Sequence, residues 1–162
     1  MAVTMESSKY KFRKACLDDA VAIHELVRKA FVHYSKEGMN PAMEESLEEI
    51  YNDIKDNIVL ILEKNGRVIG SLRLVSEVEG SFYLKRFSID PSYQDQGLGT
   101  ILYSESEKAA RDNGGKFIYL YSSVEDERLI NFYRKLGFSC LKLDKVNGYQ
   151  RGLWVKKIDG VD

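Results

Sequence analysis

Two glycines, Gly97 and Gly99, stand where an apolar strand gives way to a helix. Because a glycine has no Cβ, a ligand can approach the backbone closely at both positions. The first N–H groups of a helix have no partner inside the helix, and they lie at the positive end of its dipole. This order of elements predicts a site for a phosphate group. The turn reads Gln94-Asp95-Gln96-Gly97-Leu98-Gly99-Thr100.

The residues around this turn exclude the two commonest nucleotide motifs. A Walker loop needs a lysine directly after its last glycine, and Thr100 follows Gly99 here. A dinucleotide fingerprint needs a third glycine at position 102, where Leu102 stands. Taken alone, the glycine pair is equally compatible with a helix-entry turn that binds nothing.

A second motif lies at the end of the last predicted helix. It follows the glycine turn in the chain, with a helix and a strand between them, and the pair is more specific than either motif alone. Together they resemble the GNAT superfamily of N-acetyltransferases, whose signatures are Gln/Arg-x-x-Gly-x-Gly/Ala after a strand and a later aromatic-Tyr-x-x-x-Gly-Phe. The opening segment from Phe12 to Asp19 and the strand from Val68 to Arg73 also look like this family, so the resemblance covers nearly the whole chain. The second motif reads Phe132-Tyr133-Arg134-Lys135-Leu136-Gly137-Phe138.

The resemblance implies that acetyl-CoA is the co-substrate and that its pyrophosphate lies on the backbone amides of the glycine turn. In this chain those amides belong to Gln96–Thr100, and the motif opens at Gln94. The implied cofactor-binding residues of the turn are Gln94, Asp95, Gln96, Gly97, Leu98, Gly99 and Thr100.

The resemblance also implies where the pantetheine arm runs. The arm pairs like an extra strand with backbone groups at Phe87, Ser88 and Ile89. The family makes room for it by splaying two central strands apart, which here are Ser81–Ile89 and Phe117–Tyr121. A main-chain N–H exposed in this way can polarise the thioester carbonyl as charge develops on its oxygen.

Tyr133 matches the tyrosine that serves the family as general acid, since a phenol can protonate the departing thiolate of CoA. A packed aromatic on the apolar face of the helix is the alternative, although Phe132 and Leu136 already supply packing there. Many relatives carry an asparagine that bonds to the pantetheine arm seven residues before this tyrosine. Asp126 occupies that position, and Asn131 lies nearby at a different helical angle.

A general base is harder to assign. Relatives place a glutamate at one of two positions, which by spacing are Tyr83 and Tyr121 here. A tyrosine with its ordinary pKa of about 10 is a poor base at neutral pH. Glu77 and Glu79, in the loop before the third strand of the central run, are candidates that would act through water, and exposed loop charge is the alternative for both.

Hydrophobic periodicity predicts the elements that position these residues. Apolar spacing of three and four residues indicates helices, whereas Ile-, Val- and Leu-rich runs bounded by turn residues indicate strands. The order is β-α-α-β-β-β-α-β-α-β-β, an α/β or α+β fold with a mixed, splayed sheet of about seven strands and four helices on both faces. Asp18 or Asp19 is expected to cap the first helix. The predicted strands are Lys9–Lys14, Asn57–Glu63, Val68–Val75, Ser81–Ile89, Phe117–Tyr121, Cys140–Leu143 and Tyr149–Lys157, and the last two helices are Thr100–Asn113 and Glu125–Leu136.

Bulk composition bounds the remaining possibilities. The 162 residues fit one domain, 1–162, and the net charge of −1 argues against nucleic acid as a partner. Cys16 and Cys140 are too few for a disulfide scaffold and are expected to be small buried hydrophobes in a reducing cytoplasm. Two histidines and no clustered cysteines argue against a metal, and no apolar run is long enough for a membrane span. The sequence is compatible with a homodimer.

The reaction expected from the resemblance is direct attack of a neutral amine of a small molecule or peptide on acetyl-CoA in a ternary complex. Relatives shape the acceptor pocket with the region that corresponds to Tyr34–Asp56. Its four glutamates hint at a cationic acceptor, although such charges usually solvate an outer helix face. A non-catalytic acyl-CoA-binding sensor or interaction module is the alternative function. The four glutamates are Glu44, Glu45, Glu48 and Glu49.

Overall fold

The computed structural model describes residues 9–32, 41–146 and 148–159. The chain separates into two compact units, each built from two stretches of sequence. The first unit comprises Met1–Val75 and Lys85–Ser106, and the second comprises Ser76–Leu84 and Glu107–Asp162.

Seven strands and five α-helices make up the described residues, in the predicted order apart from one additional short helix. The strands are β1 (Tyr10–Lys14), β2 (Ile58–Lys64), β3 (Arg67–Val78), β4 (Ser81–Ile89), β5 (Phe117–Ser123), β6 (Ser139–Val146) and β7 (Tyr149–Lys157). The helices are α1 (Ala20–Phe31), α2 (Pro41–Glu44), α3 (Leu47–Asp56), α4 (Leu98–Asp112) and α5 (Glu127–Lys135).

The strands are hydrogen-bonded in the order β1-β2-β3-β4-β5-β7-β6, which confirms the predicted mixed sheet. The pairs β1–β2, β2–β3, β5–β7 and β6–β7 are antiparallel, whereas β4 and β5 run parallel. The parallel pairing joins Ser81–Tyr83 to Phe117–Tyr119, although β4 continues to Ile89 and β5 to Ser123. The hydrogen-bonded pairing of β4 with β5 thus ends at Tyr83 and Tyr119, before either strand ends.

A tight turn joins β2 and β3 into an antiparallel hairpin. Asn65 and Gly66 both adopt positive φ, at 52° and 81°. This pair of left-handed residues matches the right-handed twist of the flanking strands, and Asn-Gly is the sequence that tolerates it best.

The core of the first unit confirms the apolar periodicity of α1. Ile23 and Val27 of α1, Ile50 of α3 and Ile61 of β2 are buried in one cluster. Successive buried positions in α1 lie three and four residues apart, so they share one face of the helix. Burial of that face, rather than intrinsic propensity, is what holds a helix of this length in place.

The predicted order has two helices between the first two strands, whereas the described residues form three, because the second is divided into α2 and α3. Ser46 has extended dihedrals (φ −87°, ψ 162°), and its Oγ accepts a hydrogen bond from the N–H of Glu49. A serine in this conformation is a strong N-cap, because its oxygen satisfies one of the unpaired amides of the first turn. The cap starts α3 at Leu47 and separates it from α2.

Two further element boundaries affect the expected site. The strand β3 extends to Val78, so Glu77 lies at the end of a strand rather than in a loop, and Glu79 occupies the tight turn with Gly80. The helix α4 begins at Leu98, two residues before the predicted start, which places Gly99 and Thr100 in its first turn.

In the second unit the end of α5 explains the last two residues of the second motif, Gly137 and Phe138. Gly137 has a φ of 100°, and the N–H of Phe138 bonds to the carbonyl of Tyr133 at 3.0 Å. This is the Schellman arrangement that ends helices with a left-handed glycine. Phe138 is then buried directly after the cap. The Gly-Phe pair of the motif is therefore explained by helix termination and packing.

The cysteines differ from expectation. Cys16 and Cys140 are both exposed free thiols, so the prediction that they are buried hydrophobes was wrong. Cys16 precedes a 3-10 turn, Leu17–Asp19, and Cys140 lies on β6, whose residues are exposed up to Lys145. Within the described ranges no helix is long and apolar enough to cross a membrane.

Asp19 occupies the N-cap position of α1, but its carboxylate makes no cap hydrogen bond to the helix. It accepts two hydrogen bonds from the Arg13 guanidinium, at 2.8 and 2.9 Å, and one from the N–H of Cys16 at 2.8 Å. Arg13 also contacts Glu63 at 3.0 Å. The Arg13 hydrogen bonds lower the pKa of Asp19 to about 2 against the opposing effect of burial.

We predict that Asp19→Asn destabilises the protein at pH 7 by about 1–2 kcal/mol, since each pKa unit corresponds to about 1.4 kcal/mol and the site retains some solvent. A lowered carboxyl pKa stabilises the fold above the unfolded-state value and loses that contribution as the pH falls. The difference between variant and wild type should therefore shrink between about pH 4 and pH 2. Urea unfolding across this range measures it. Asp18→Asn, which alters an exposed neighbour, should change stability by less than about 0.5 kcal/mol; a gap for Asp19→Asn that persists at pH 2 would contradict the ionic explanation.

Candidate active site

The predicted phosphate turn begins where β4 ends. Asp90 opens a 3-10 turn, Pro91–Tyr93, and its carboxylate accepts a hydrogen bond from the N–H of Ser92 at 2.9 Å. The Gln94 side-chain amide then donates back to the carbonyl of Ile89 at 3.1 Å. These two local bonds fold the chain tightly between the strand and the helix that follows.

Asp90 also fixes this turn to the rest of the first unit. Its side chain is 4 % exposed, its N–H bonds to the carbonyl of Ile69 at 2.8 Å, and its carboxylate contacts Lys29 at 3.1 Å and Arg67 at 3.7 Å. Burial raises the pKa of Asp90, but the Ser92 N–H and the Lys29 ammonium outweigh burial and lower that pKa below its ordinary value. Asp90 is therefore a buried anion that holds the base of the turn.

The turn itself contains two left-handed residues, Asp95 with a φ of 62° and Gly97 with a φ of 80°. The first i to i−4 bond after it runs from the N–H of Ile101 to the carbonyl of Gly97. The amides before Ile101 thus precede the hydrogen-bond ladder of α4. A Cβ added at Gly97 would meet no protein atom within 4 Å, so this backbone borders open space. Exposed turn residues are Gln94, Asp95, Gln96, Gly97 and Thr100.

The strand before the turn is irregular. Arg86 has a φ of 53° in the middle of β4, a left-handed conformation that is uncommon outside glycine. Ser88 is buried, and its hydroxyl donates to the carbonyl of Arg86 at 3.2 Å. Phe87 and Ile89 are half-buried. All three residues expected beside the pantetheine arm follow the point where β4 has parted from β5.

In the second unit Tyr133 is 8 % exposed and packs edge-on against Phe132 and Phe138, with ring centroids 5.3 and 5.9 Å away. Asp126 is the N-cap of α5, and its carboxylate accepts a hydrogen bond from the N–H of Arg128 at 3.0 Å. The aromatic packing expected as the alternative role for Tyr133 is present, and a cap role explains Asp126 locally. The predicted roles of both residues toward a cofactor remain predictions.

The two tyrosines at the usual base positions belong to one aromatic cluster with Tyr119. The rings of Tyr83 and Tyr119 stack at 5.3 Å, and Tyr121 meets both edge-on at 6.0 and 6.3 Å. The hydroxyl of Tyr119 donates to Glu77 at 2.6 Å. Burial and then this carboxylate raise the pKa of Tyr119 above its ordinary value, so the phenol stays protonated. Glu77 is thus a hydrogen-bonded group rather than a free loop charge.

Of the four glutamates in the predicted acceptor region, Glu45 has neither of the expected roles. Its side chain is 1 % exposed and forms two hydrogen bonds of 2.7 Å with the fully buried Arg73. It can therefore neither solvate an outer face nor attract a cationic acceptor. Glu44, Glu48 and Glu49 are exposed. Residues 34–40 of that predicted region lie outside the described ranges.

Sequence reasoning missed the ionic cluster that surrounds Arg73, which the structure builds from Glu45, Asp53, Lys85 and Arg86. One signal in the sequence could have pointed to it. Arg73 interrupts the apolar strand that begins at Val68, and a buried arginine requires carboxylate partners from elsewhere in the chain.

Comparison with known proteins bears on this site. A family model described as the acetyltransferase (GNAT) family matches residues 20–138. The chain is 27% identical over 140 residues to a mycothiol acetyltransferase from Propionibacterium freudenreichii, with 82% of this chain and 43% of that protein aligned. It is 28% identical over 110 residues to an uncharacterised N-acetyltransferase from Methanocaldococcus jannaschii, with 60% of this chain and 44% of that protein aligned.

The fold is similar to that of a PaiA N-acetyltransferase from Thermoplasma acidophilum, whose crystal structure contains coenzyme A. The TM-score is 0.77 at 22% identity, and the alignment covers 91% of this chain and 98% of that one. The chain spans less than half the length of the curated relatives it matches.

Proposed function

Because the chain belongs to the acetyltransferase (GNAT) family, we propose that it transfers an acetyl group from acetyl-CoA to a primary amine. The amine nitrogen attacks the thioester carbon directly in a ternary complex, and the C–S bond breaks to release CoA. One observation carries the proposal. In the glycine turn Asp95 and Gly97 are left-handed, and the backbone at Gly97 borders open space. The amides that precede Ile101 there make no i to i−4 hydrogen bond of α4.

The pyrophosphate is proposed to bind the amides of Gln96–Thr100. Amides at the start of a helix are unpaired donors at the positive end of the dipole, and they suit a doubly charged phosphate ester. The turn needs no lysine for this purpose. Asp90, which is already neutralised by Lys29, holds the turn without presenting a free negative charge to the phosphates.

The pantetheine arm is proposed to pair with the main chain at Phe87, Ser88 and Ile89. Support comes from the end of the β4–β5 pairing at Tyr83 and Tyr119, beyond which β4 runs on for the length of this stretch. A main-chain N–H there would polarise the thioester carbonyl, an interaction that strengthens as negative charge develops on the oxygen.

Tyr133 is proposed to protonate the CoA thiolate as it leaves. An ordinary tyrosine, with a pKa of about 10, carries a proton to give at neutral pH. For removal of the proton from the amine, Tyr119 is unsuitable because its pKa is raised and its proton is held by Glu77. We propose that the acceptor reaches the site as the free amine, with its proton lost to solvent.

Gly97→Ala should raise the Kd for acetyl-CoA at least tenfold, or about 1.4 kcal/mol. The added methyl meets no protein atom, so it occupies the space proposed for the pyrophosphate. Titration calorimetry measures the change. Gly66→Ala is the matched control, because Gly66 has a φ of 81° and equally open surroundings in the β2–β3 turn. Backbone strain should lower the stability of both variants to a similar extent, whereas only Gly97→Ala should lose affinity for acetyl-CoA. An unchanged Kd in folded Gly97→Ala would remove the assignment.

Tyr133→Phe should keep the affinity for acetyl-CoA and lower kcat by about 10²–10⁴-fold, the usual range for general acid catalysis. Steady-state kinetics and calorimetry on the same preparation separate the two effects. Tyr103→Phe removes another buried hydroxyl, 2 % exposed in α4, and should leave kcat within about twofold. Full activity of Tyr133→Phe would assign protonation of the thiolate to another group or to water.

If the amine is deprotonated in solvent, kcat/KM should rise with pH and follow the acceptor's own amine pKa. Acceptors with a lower amine pKa should then reach their plateau at a lower pH, which a series of related amines tests directly. A shared ascending limb near pH 6–7 for every acceptor would instead report an enzyme group, because a glutamate titrates there when burial raises its pKa. Loss of that limb in Glu77→Gln would identify Glu77 as the base.

A further inference from the structure

A buried ionic cluster in the first unit is not used by the proposed chemistry. At its centre is Arg73, whose side chain is fully buried and whose two terminal nitrogens each bond to Glu45 at 2.7 Å. One of these nitrogens also contacts Asp53 at 3.0 Å. Lys85 contacts the same Asp53 oxygen at 3.0 Å, and Arg86 Nε lies 3.3 Å from Glu45.

Lys85 and Arg86 are consecutive residues of β4, yet both reach this cluster. In a regular strand neighbouring side chains point to opposite faces, so one of the two would point away. The left-handed conformation of Arg86, with a φ of 53°, interrupts this alternation. Such a conformation is strained for a residue other than glycine, and it persists where surrounding contacts hold it. Here it brings two cations to one place.

The cluster has more positive charge than its partners neutralise. Across the described residues its contacts join three cations, Arg73, Lys85 and Arg86, to two carboxylates, Glu45 and Asp53. Within the part of the chain that the structure describes, its buried donors are also incompletely used, since the Nε of Arg73 has no hydrogen-bond acceptor and the Nε of Arg86 has only the 3.3 Å ionic contact with Glu45. An uncompensated charge in such surroundings is costly, and an unsatisfied buried donor adds to the cost. The excess of positive charge calls for an anion.

We propose that Arg86, assisted by Lys85, binds a carboxylate of the acceptor, so that the substrate is an amine that also carries a carboxylate. The inference rests on the proposed acetyl transfer. Arg86 and Lys85 are the members of the cluster that a ligand can reach, with side chains 19 % and 22 % exposed, whereas Arg73 is at 0 %. A planar guanidinium matches a carboxylate with two parallel hydrogen bonds.

Charge balance selects the carboxylate over a phosphate. A carboxylate brings one negative charge and neutralises the excess, whereas a phosphate monoester brings about 1.5 to 2 at neutral pH and would leave the cluster negative. The cofactor does not supply this anion in the proposed complex. Arg86 directly precedes Phe87, where the uncharged pantetheine arm is placed, and the phosphates of CoA lie further along the chain at Gln96–Thr100.

The test compares amino acids with their own carboxamides as acceptors of the acetyl group from acetyl-CoA. In the wild-type protein we expect kcat/KM, calculated on the concentration of free amine, to be at least tenfold higher for the acids than for the amides. In Arg86→Gln this ratio should fall by at least tenfold, mainly through a higher KM for the acids, while kcat for the amides and the Kd for acetyl-CoA stay within about twofold. Arg86→Lys should keep part of the preference because it keeps the charge. Arg111→Gln, which removes an arginine that pairs with Glu107 in α4, should keep all of it.

Three results would overturn the proposal. The first is an equal or greater preference of the wild-type protein for amides or diamines. The second is a preference for acids that survives intact in folded Arg86→Gln. The third is an increase in the Kd for acetyl-CoA in that variant as large as the increase in acceptor KM, which would assign Arg86 to the cofactor.

A binding measurement separates this proposal from the proposed function and also serves if Arg86→Gln does not fold. Sodium acetate is added to the ¹⁵N-labelled wild-type protein, and the NMR signals of the arginine side chains are recorded. Sodium chloride is reduced by the same amount at each step, so that the ionic strength stays constant. A saturable shift of the Arg86 Nε–Hε signal, weakened in Lys85→Gln, supports the carboxylate site even if no amine is acetylated. A signal that acetate leaves unchanged would refute the site whatever the outcome of the turnover assays.

Discussion

A carboxylate removed from water must be compensated by cations, and two compensated carboxylates determine the shape of β4. Asp90, at the end of the strand, is buried between Lys29 and the amide of Ser92. Glu45, opposite its middle, is buried against Arg73 and Arg86. Each carboxylate lies where the chain departs from regular extended geometry, at the left-handed Arg86 and at the turn that leads to Gly97. The proposed cofactor contacts are the residues between and directly after these two positions.

Ion pairs of this kind are weak evidence for stability, because desolvation offsets much of the attraction between the charges. Their effect here is better described as selection of one backbone path. With regular alternation from Ser81 to Ile89, Lys85 and Arg86 would point to opposite faces, and only one of them would reach the cluster. The strain at Arg86 persists because Glu45 and Arg73 leave that guanidinium one favourable location. The proposed site has the pantetheine arm and the acceptor beside the same strand. A single fixed backbone path in β4 would hold the two reactants at a constant distance from each other.

The sequence predicts the strands and most helices because burial imposes a visible period on them, as at Ile23 and Val27 of α1. It predicts the glycine turn because left-handed backbone and close approach limit the residue choice at Gly97. It does not predict the start of α3, where a serine cap competes with a continuous helical pattern. Nor does it predict the burial of Glu45, because the partner that makes burial tolerable, Arg73, is 28 residues away. The exposure of Cys140 depends on which strand ends the sheet, which local sequence does not encode.

Tyrosines stand at positions 83 and 121, where relatives have a glutamate base, and the cluster around Arg86 has an excess of positive charge. Both features bear on the pKa of the acceptor amine. In a free amino acid the carboxylate stabilises the neighbouring ammonium and so raises the amine pKa. When that carboxylate is bound by the guanidinium of Arg86, its charge is neutralised, and a nearby cation disfavours the ammonium form. The amine pKa falls, and a larger fraction of bound acceptor is the nucleophilic free amine at neutral pH. A cationic subsite of this kind performs part of the work of a general base while leaving the proton to solvent. Such a subsite would matter most in an enzyme without a side-chain base. In the second unit the phenol of Tyr119 keeps its proton, which it donates in a hydrogen bond to Glu77, and so it cannot serve as that base.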